Sequence, residues 1–136
     1  MNLKIFNSYD IRGKYPEEIN EKVVAEIVGA LKKYYLSKVN SQRSTVKAIV
    51  GRDARLSSPK LYRAAIKQLT TDNLQLITIP VGLATTPMLY FLVNHFNADL
   101  GIIITASHNP KEYNGLKIVG KKAMPMSGKE ILKWTI

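Results

Sequence analysis

Three short aliphatic runs alternate with two helical stripes along this chain, and that order leaves few folds open. Val46 to Val50, Leu74 to Ile79 and Leu100 to Thr105 read as strands, because each run is short, rich in β-branched residues and bounded by polar ones. Between them, Ser58-Pro59 and Thr86-Pro87 each pair a capping residue with a first-turn proline, the signal that opens a helix. Leu61, Ala65, Ile66 and Leu69 line one face of the first helix, and Leu89, Leu92, Val93 and Phe96 give the second its buried stripe. An earlier helix is expected from Asn20, a plausible cap, to Tyr35, with Val23, Val24, Ile27, Val28 and Leu31 as its apolar face. This order predicts a three-layer α/β/α sandwich around a mostly parallel, mixed sheet joined by right-handed crossovers. Ligands of such sheets bind beyond the carboxyl ends of the strands.

The remaining segments fit the same plan. Ser37 to Ser44 is a polar loop, and Leu116 to Val119 is one more short strand. Ser127, with Glu130 three residues on, resembles a capping box that opens a final helix reaching Ile136. A chain that ends within a turn or two of a helix cap reads as a piece of something longer. No internal repeat or low-complexity tract is present.

With 136 residues the chain is expected to form one domain that buries roughly 68% of its unfolded surface, without a disulfide or metal staple. Cysteine is absent, the first residues lack a basic start and apolar core, and no apolar stretch approaches the ~20 residues that span a bilayer. These features point to a soluble, cytoplasmic protein. The formal charge of +10, from 20 Lys+Arg against 10 Asp+Glu, permits attraction to a phosphorylated metabolite, a nucleic acid or an acidic membrane, and does not choose among them. Lys32, Lys33, Lys121 and Lys122 are read as solvated surface.

Three polar loops leave the strand ends and should converge on one crevice: Gly51 to Arg55, Val81 to Thr86, and Ala106-Ser107-His108-Asn109-Pro110. A hydrolase triad is disfavoured, because no Gly-x-Ser-x-Gly elbow exists and His108 is the sequence neighbour of Ser107. No glycine loop ending in Gly-Lys-Ser/Thr is present to cradle a nucleotide.

Thr105-Ala106-Ser107-His108-Asn109-Pro110, followed by Tyr113-Asn114-Gly115-Leu116-Lys117, resembles the active-site serine signature of the α-D-phosphohexomutases, the phosphoglucomutase and phosphomannomutase family. Tyr9-Asp10-Ile11-Arg12-Gly13, Gly51-Arg52-Asp53-Ala54-Arg55 and Gly82-Leu83-Ala84-Thr85-Thr86-Pro87 match further motifs in the family's order. The resemblance covers essentially the whole chain, so residues 1–136 are read as the family's first domain alone, with domains II to IV missing. One departure is Pro80, where the family usually has an aspartate two residues before the matching glycine.

The resemblance implies that Ser107 carries a phosphate at rest, donates it to a hexose phosphate, and recovers the other phosphate from a hexose 1,6-bisphosphate intermediate. It implies that Arg12 and Lys117 lie near the reacting oxygens and assist proton transfer, and that Asn109 shapes the serine loop. A phosphoserine carries about −1.5 to −2 charge and needs cations and fixed donors around it, for which Arg12, His108 and Lys117 are candidates. It further implies Mg²⁺, held by the Ser107 phosphate and by carboxylates of a second domain, since Asp10, Asp53, Asp72 and Asp99 are scattered here. The implied partners are the sugar phosphates and the remaining domains of the same polypeptide, with neither nucleic acid nor membrane.

Taken singly, these residues have plainer roles. Arg12 is an ordinary ion-paired arginine, Asp53 pairs with Arg52 or Arg55 to shape a loop, and Ser107 is a turn serine. Likewise His108 is a satisfied loop histidine, Lys117 a solvated strand lysine, and Tyr113-Asn114-Gly115 a turn with Gly115 free to take positive φ. The joint motif favours function for Ser107, His108 and Lys117. The competing readings are a basic nucleic-acid-binding module, which lacks any interleaving of aromatic and basic residues, and a catalytically silent domain. The isolated chain is expected to be inactive as a mutase.

Overall fold

The computed structural model describes residues 1–40, 44–71 and 74–136. Part of the expected loop Ser37 to Ser44, and Asp72, lie outside the described residues. In chain order the elements are β1 (Ile11–Lys14), α1 (Glu21–Leu36), β2 (Val46–Arg52), α2 (Ser58–Thr70), β3 (Leu76–Leu83), α3 (Thr86–His95), β4 (Leu100–Ile104), β5 (Tyr113–Val119) and α4 (Gly128–Thr135).

The strands form one mixed sheet in the order β1-β5-β4-β2-β3, with β2 parallel to both β3 and β4, and β5 antiparallel to both β4 and β1. The loop between Ile104 and Tyr113 is shorter than the dozen or so residues that a parallel crossover needs, so β5 must turn back beside β4. The step from β2 to β3 moves outward and the step from β3 to β4 moves back past β2. Right-handed crossovers in opposite directions place their helices on opposite faces. Accordingly α1, α2 and α4 bury their stripes with Ile11, Ala48, Val50, Ile102, Leu116 and Ile118 in the larger core. Helix α3 covers Ile49, Ile103 and Val119 on the other side. The α/β/α sandwich expected from the alternation is the observed fold. Among the described residues no helix is long and apolar enough to cross a membrane.

Several boundaries differ from the sequence reading. Strand β1 was not foreseen. Leu74 is fully exposed and β3 begins at Leu76, while Phe96 lies beyond α3 at the surface. The cap of α3 is Thr85, whose hydroxyl accepts from the Met88 amide, and Ser57 takes the cap position of α2 without a side-chain bond to the helix amides. Ser58 is thereby freed for another use. Tyr113 to Gly115 do not form a turn; they begin β5. Lys32, read as solvated, donates to the carbonyl of Gln68 at 3.1 Å and to that of Thr71, so it ties α1 to the carboxyl end of α2. Pro80 sits in the edge strand β3 beside a register shift in its pairing with β2, where a missing N–H is tolerated, and Gly82 follows at φ 67°. The Gly82 amide donates to the Tyr62 hydroxyl at 3.0 Å.

Tyr15, just after β1, donates its hydroxyl to Glu21 at the start of α1, at 3.0 Å. Burial first, then that hydrogen bond and the Glu21 charge, push the phenol above its usual value near 10. The neutral phenol is thus favoured by folding. Its contribution is complete below the unfolded value of about 10 and fades as pH climbs through the folded one. Melting curves between pH 9 and 11 should therefore fall more steeply for the wild type than for Tyr15→Phe, and parallel curves would refute the coupling.

Candidate active site

Because β2, β3 and β4 are parallel, their carboxyl ends open on the same side of the sheet. The β3 exit and the β2 exit meet in a hollow of about 400 Å³ whose lining includes Asp53, Ala54, Leu83, Thr85 and Thr105. Beside it, β4 ends at Ile104 and delivers Ser107 to the surface.

Ser107 has φ 56°, in the left-handed region where a side chain costs roughly 1–2 kcal/mol. Such a conformation persists where surrounding bonds dictate it. Here they do. The Ser107 amide donates to Thr105 Oγ1 at 3.0 Å, and Thr105 Oγ1 donates to Asp53 Oδ2 at 2.8 Å. Arg55 donates from Nη2 to the carbonyls of Ser107 and Asn109, both at 2.8 Å, and from Nη1 to those of Pro110 at 2.8 Å and Tyr113 at 3.2 Å. Its Nε faces Asp53 Oδ2 at 3.3 Å. The Asp53 carboxylate also accepts from the Arg55 amide at 3.0 Å and from the Ser58 hydroxyl at 2.5 Å. Buried Asn114 donates to Ser57 at 2.7 Å and Ser58 at 3.0 Å, which joins β5 to the start of α2. A single polar hub thus fastens three elements beneath the serine loop.

Around the exposed Ser107 hydroxyl, His108 Nδ1 lies 3.4 Å from Oγ. Arg12, half-buried on β1, reaches across to the loop, where Nη1 donates to Asn109 Oδ1 at 2.5 Å, while Nε pairs with Asp10. Its Nη2 has no partner among the described residues and can meet an anion. Arg12 stands opposite Gly115 in the β1–β5 pairing, and Lys117 is two residues further along β5, so alternation puts both cations on one face of the sheet. That is the face of α3, where Lys117 pairs with Ile103 of β4 through the backbone, and its ammonium has no side-chain hydrogen bond or ion pair among the described residues. The structure therefore pairs Ser107 with His108 and Arg12 with Asn109 on the same loop, and sets Lys117 on the same face as Arg12 without a side-chain bond to them.

The sequence reading offered Arg52 or Arg55 as the partner of Asp53. Arg55 holds that place, whereas Arg52 donates to the Asp53 carbonyl at 3.1 Å and lies over the Tyr62 ring. Thr105, Ser58 and Asn114 were not recognised as supports. Their hydroxyl and amide types in strand-end and helix-start positions were the available signal.

Comparison with known proteins supplies the name for this arrangement. The family described as "Phosphoglucomutase/phosphomannomutase, alpha/beta/alpha domain I" matches residues 3–133. A protein of Xanthomonas campestris named "Phosphohexose mutases" is 39% identical over 93% of this chain and 26% of its own length. A phosphoglucomutase/phosphomannomutase of Thermococcus kodakarensis is 40% identical over 89% of this chain and 25% of its own. A solved phosphoglucomutase/phosphomannomutase family protein from Burkholderia thailandensis superimposes with a TM-score of 0.83 at 27% identity, over 98% of this chain and 29% of that one. The chain spans about a quarter of the length of the curated relatives it matches. With the serine motif seated at a strand exit and the match running nearly end to end, this chain belongs to the phosphoglucomutase/phosphomannomutase family and covers that family's α/β/α first domain.

Proposed function

We propose that this domain carries the phosphoserine of a hexose-phosphate mutase, acting with further domains of the same polypeptide. In the forward half-reaction the bond between phosphorus and Ser107 Oγ breaks while a bond to the free sugar hydroxyl forms. The hydroxyl proton leaves the sugar, and a proton returns to Oγ. The bisphosphate then gives its other phosphate back to Ser107 by the reverse step. The observation that carries this reading is the exposed Ser107 hydroxyl, presented at positive φ on a clamped loop with His108 beside it and Arg12 bonded to Asn109.

Phosphoryl transfer gains chiefly from positioning and from charge placed where the transferred group passes. The Nη2 donors of Arg12 and the Lys117 ammonium meet that need, and the ammonium can donate a hydrogen bond to the sugar oxygen. Asn109 holds Arg12 to the serine loop, and His108 adds a donor beside the phosphate.

For Mg²⁺, which the family implies, the described residues do not build a complete site. They gather no group of three or more His, Asp or Glu side chains, and Asp10 and Asp53 are each committed to an arginine. Mg²⁺ would instead be held by the phosphate of Ser107 together with carboxylates of another domain, where it would offset the charge of the transferred group.

The test is incubation of the full-length polypeptide with glucose 1,6-bisphosphate, followed by intact mass and phosphopeptide mapping. One phosphate on the peptide that contains Ser107 is expected. A stable phosphate on any other residue, or none under turnover conditions, would sink the reading. The separated chain of 136 residues is expected to lack mutase turnover.

A further inference from the structure

A guanidinium offers five N–H donors in a rigid plane. At Arg55 all of them are spoken for, since Nε faces Asp53 while Nη1 and Nη2 serve the carbonyls of Ser107, Asn109, Pro110 and Tyr113. Arg55 thus has no donor left for a phosphate, although it lies directly beneath the serine that would bear one. Arg12 differs in that respect, with Nη2 unengaged. Two arginines flank the same loop, one saturated by backbone and one open to an anion.

We infer that Arg55 is a positioning residue for phosphoryl transfer: its filled guanidinium holds the serine loop so that Ser107 keeps the left-handed backbone that presents Oγ, without touching the transferred group. This rests on the phosphoserine reading above. The backbone of Ser107 is gripped at both ends, its carbonyl by Arg55 and its amide through Thr105 and Asp53. Asp53 in turn faces Arg55, so the two grips share one anchor. Released from them, a serine would relax towards negative φ, and Oγ would lose its present direction beside His108. A lysine cannot replace the fork, because one ammonium has three donors at a single point and four carbonyls stand around the plane.

The experiment measures kcat and KM for hexose phosphate in the full-length enzyme carrying Arg55→Lys, Arg55→Ala or Ser107→Ala, at a temperature well below each melting point. Misplacing a reacting atom by about an ångström costs on the order of 100-fold in rate. Both Arg55 variants should lose kcat by about that factor while KM stays within about twofold, because substrate contacts are untouched. Millimolar guanidinium ion should restore part of the kcat of Arg55→Ala, which a loss of folding alone would not allow. A folded Arg55→Lys with wild-type kcat, or a loss in Arg55→Ala that tracks the unfolded fraction and ignores guanidinium, overturns the inference. Turnover by Ser107→Ala would instead overturn the phosphoserine reading, so the two failures are distinguishable.

Discussion

Ser107→Ala will leave the full-length enzyme folded and without turnover, its rate down by a factor on the order of 10⁴ or more. Under the proposed mechanism the substitution removes the atom that would carry the phosphate, and no neighbouring group has both the exposure and the loop geometry to replace it. His108 is adjacent but tethered to the same loop, and Arg12 is bound to Asn109 and Asp10. The fold should not suffer, since the Ser107 hydroxyl is exposed and the supporting bonds run through its amide and carbonyl. Ser107→Gly sharpens the test. Glycine takes φ 56° without the side-chain penalty, so this variant should be equally inactive yet melt no lower than Ser107→Ala. A coupled mutase assay beside thermal melting separates the two effects. Residual activity near the wild type in either variant would move the phosphate carrier elsewhere.

Gly115→Ala is expected to have the largest effect on stability, about 4 kcal/mol or more, in the range reserved for unavoidable steric conflict. A Cβ there would stand 1.8 Å from the Ile11 carbonyl oxygen and 3.0 Å from the Arg12 Cα. Both are backbone atoms, which cannot swing aside as a side chain can. Strand β1 would have to part from β5, exposing Ile11, which is fully buried, and withdrawing Arg12 from the serine loop. Urea denaturation should show a sharply lower midpoint, and the mutase rate of any folded fraction should fall as well. A loss below about 1 kcal/mol would mean that the strands are not packed this closely.

The same glycine marks where sequence reasoning reached its limit. Tyr113-Asn114-Gly115 has the composition of a turn, and the reading took Gly115 as free to adopt positive φ. Its real constraint is the approach of a strand about a hundred residues earlier in the chain, which local pattern cannot encode. Strand β1 escaped notice for a related reason: Ile11-Arg12-Gly13-Lys14 is short, three of its four residues are charged or glycine, and it becomes a strand through its partner β5. The central strands and their helices were legible because burial on both faces writes continuous aliphatic runs, and a stripe of valines and isoleucines leaves α1 no other face to hide. The serine loop was legible as a motif. Of its scaffold only the pairing of Asp53 with an arginine was legible, because the bonds from Arg55 to the loop carbonyls, from Thr105 to Asp53 and from Asn114 to Ser58 join residues that come together only after folding.

The position of Pro80 bears on how copies of this domain behave when crowded together. An open sheet invites a guest strand wherever unpaired amides line a long, flat margin. At the β3 margin the proline withholds one amide and the register shift beside it bends the rest out of line. At the other margin β1 is four residues long and carries Arg12 and Lys14. Neither border is a good template for growth, so fibril-like stacking has no easy place to begin.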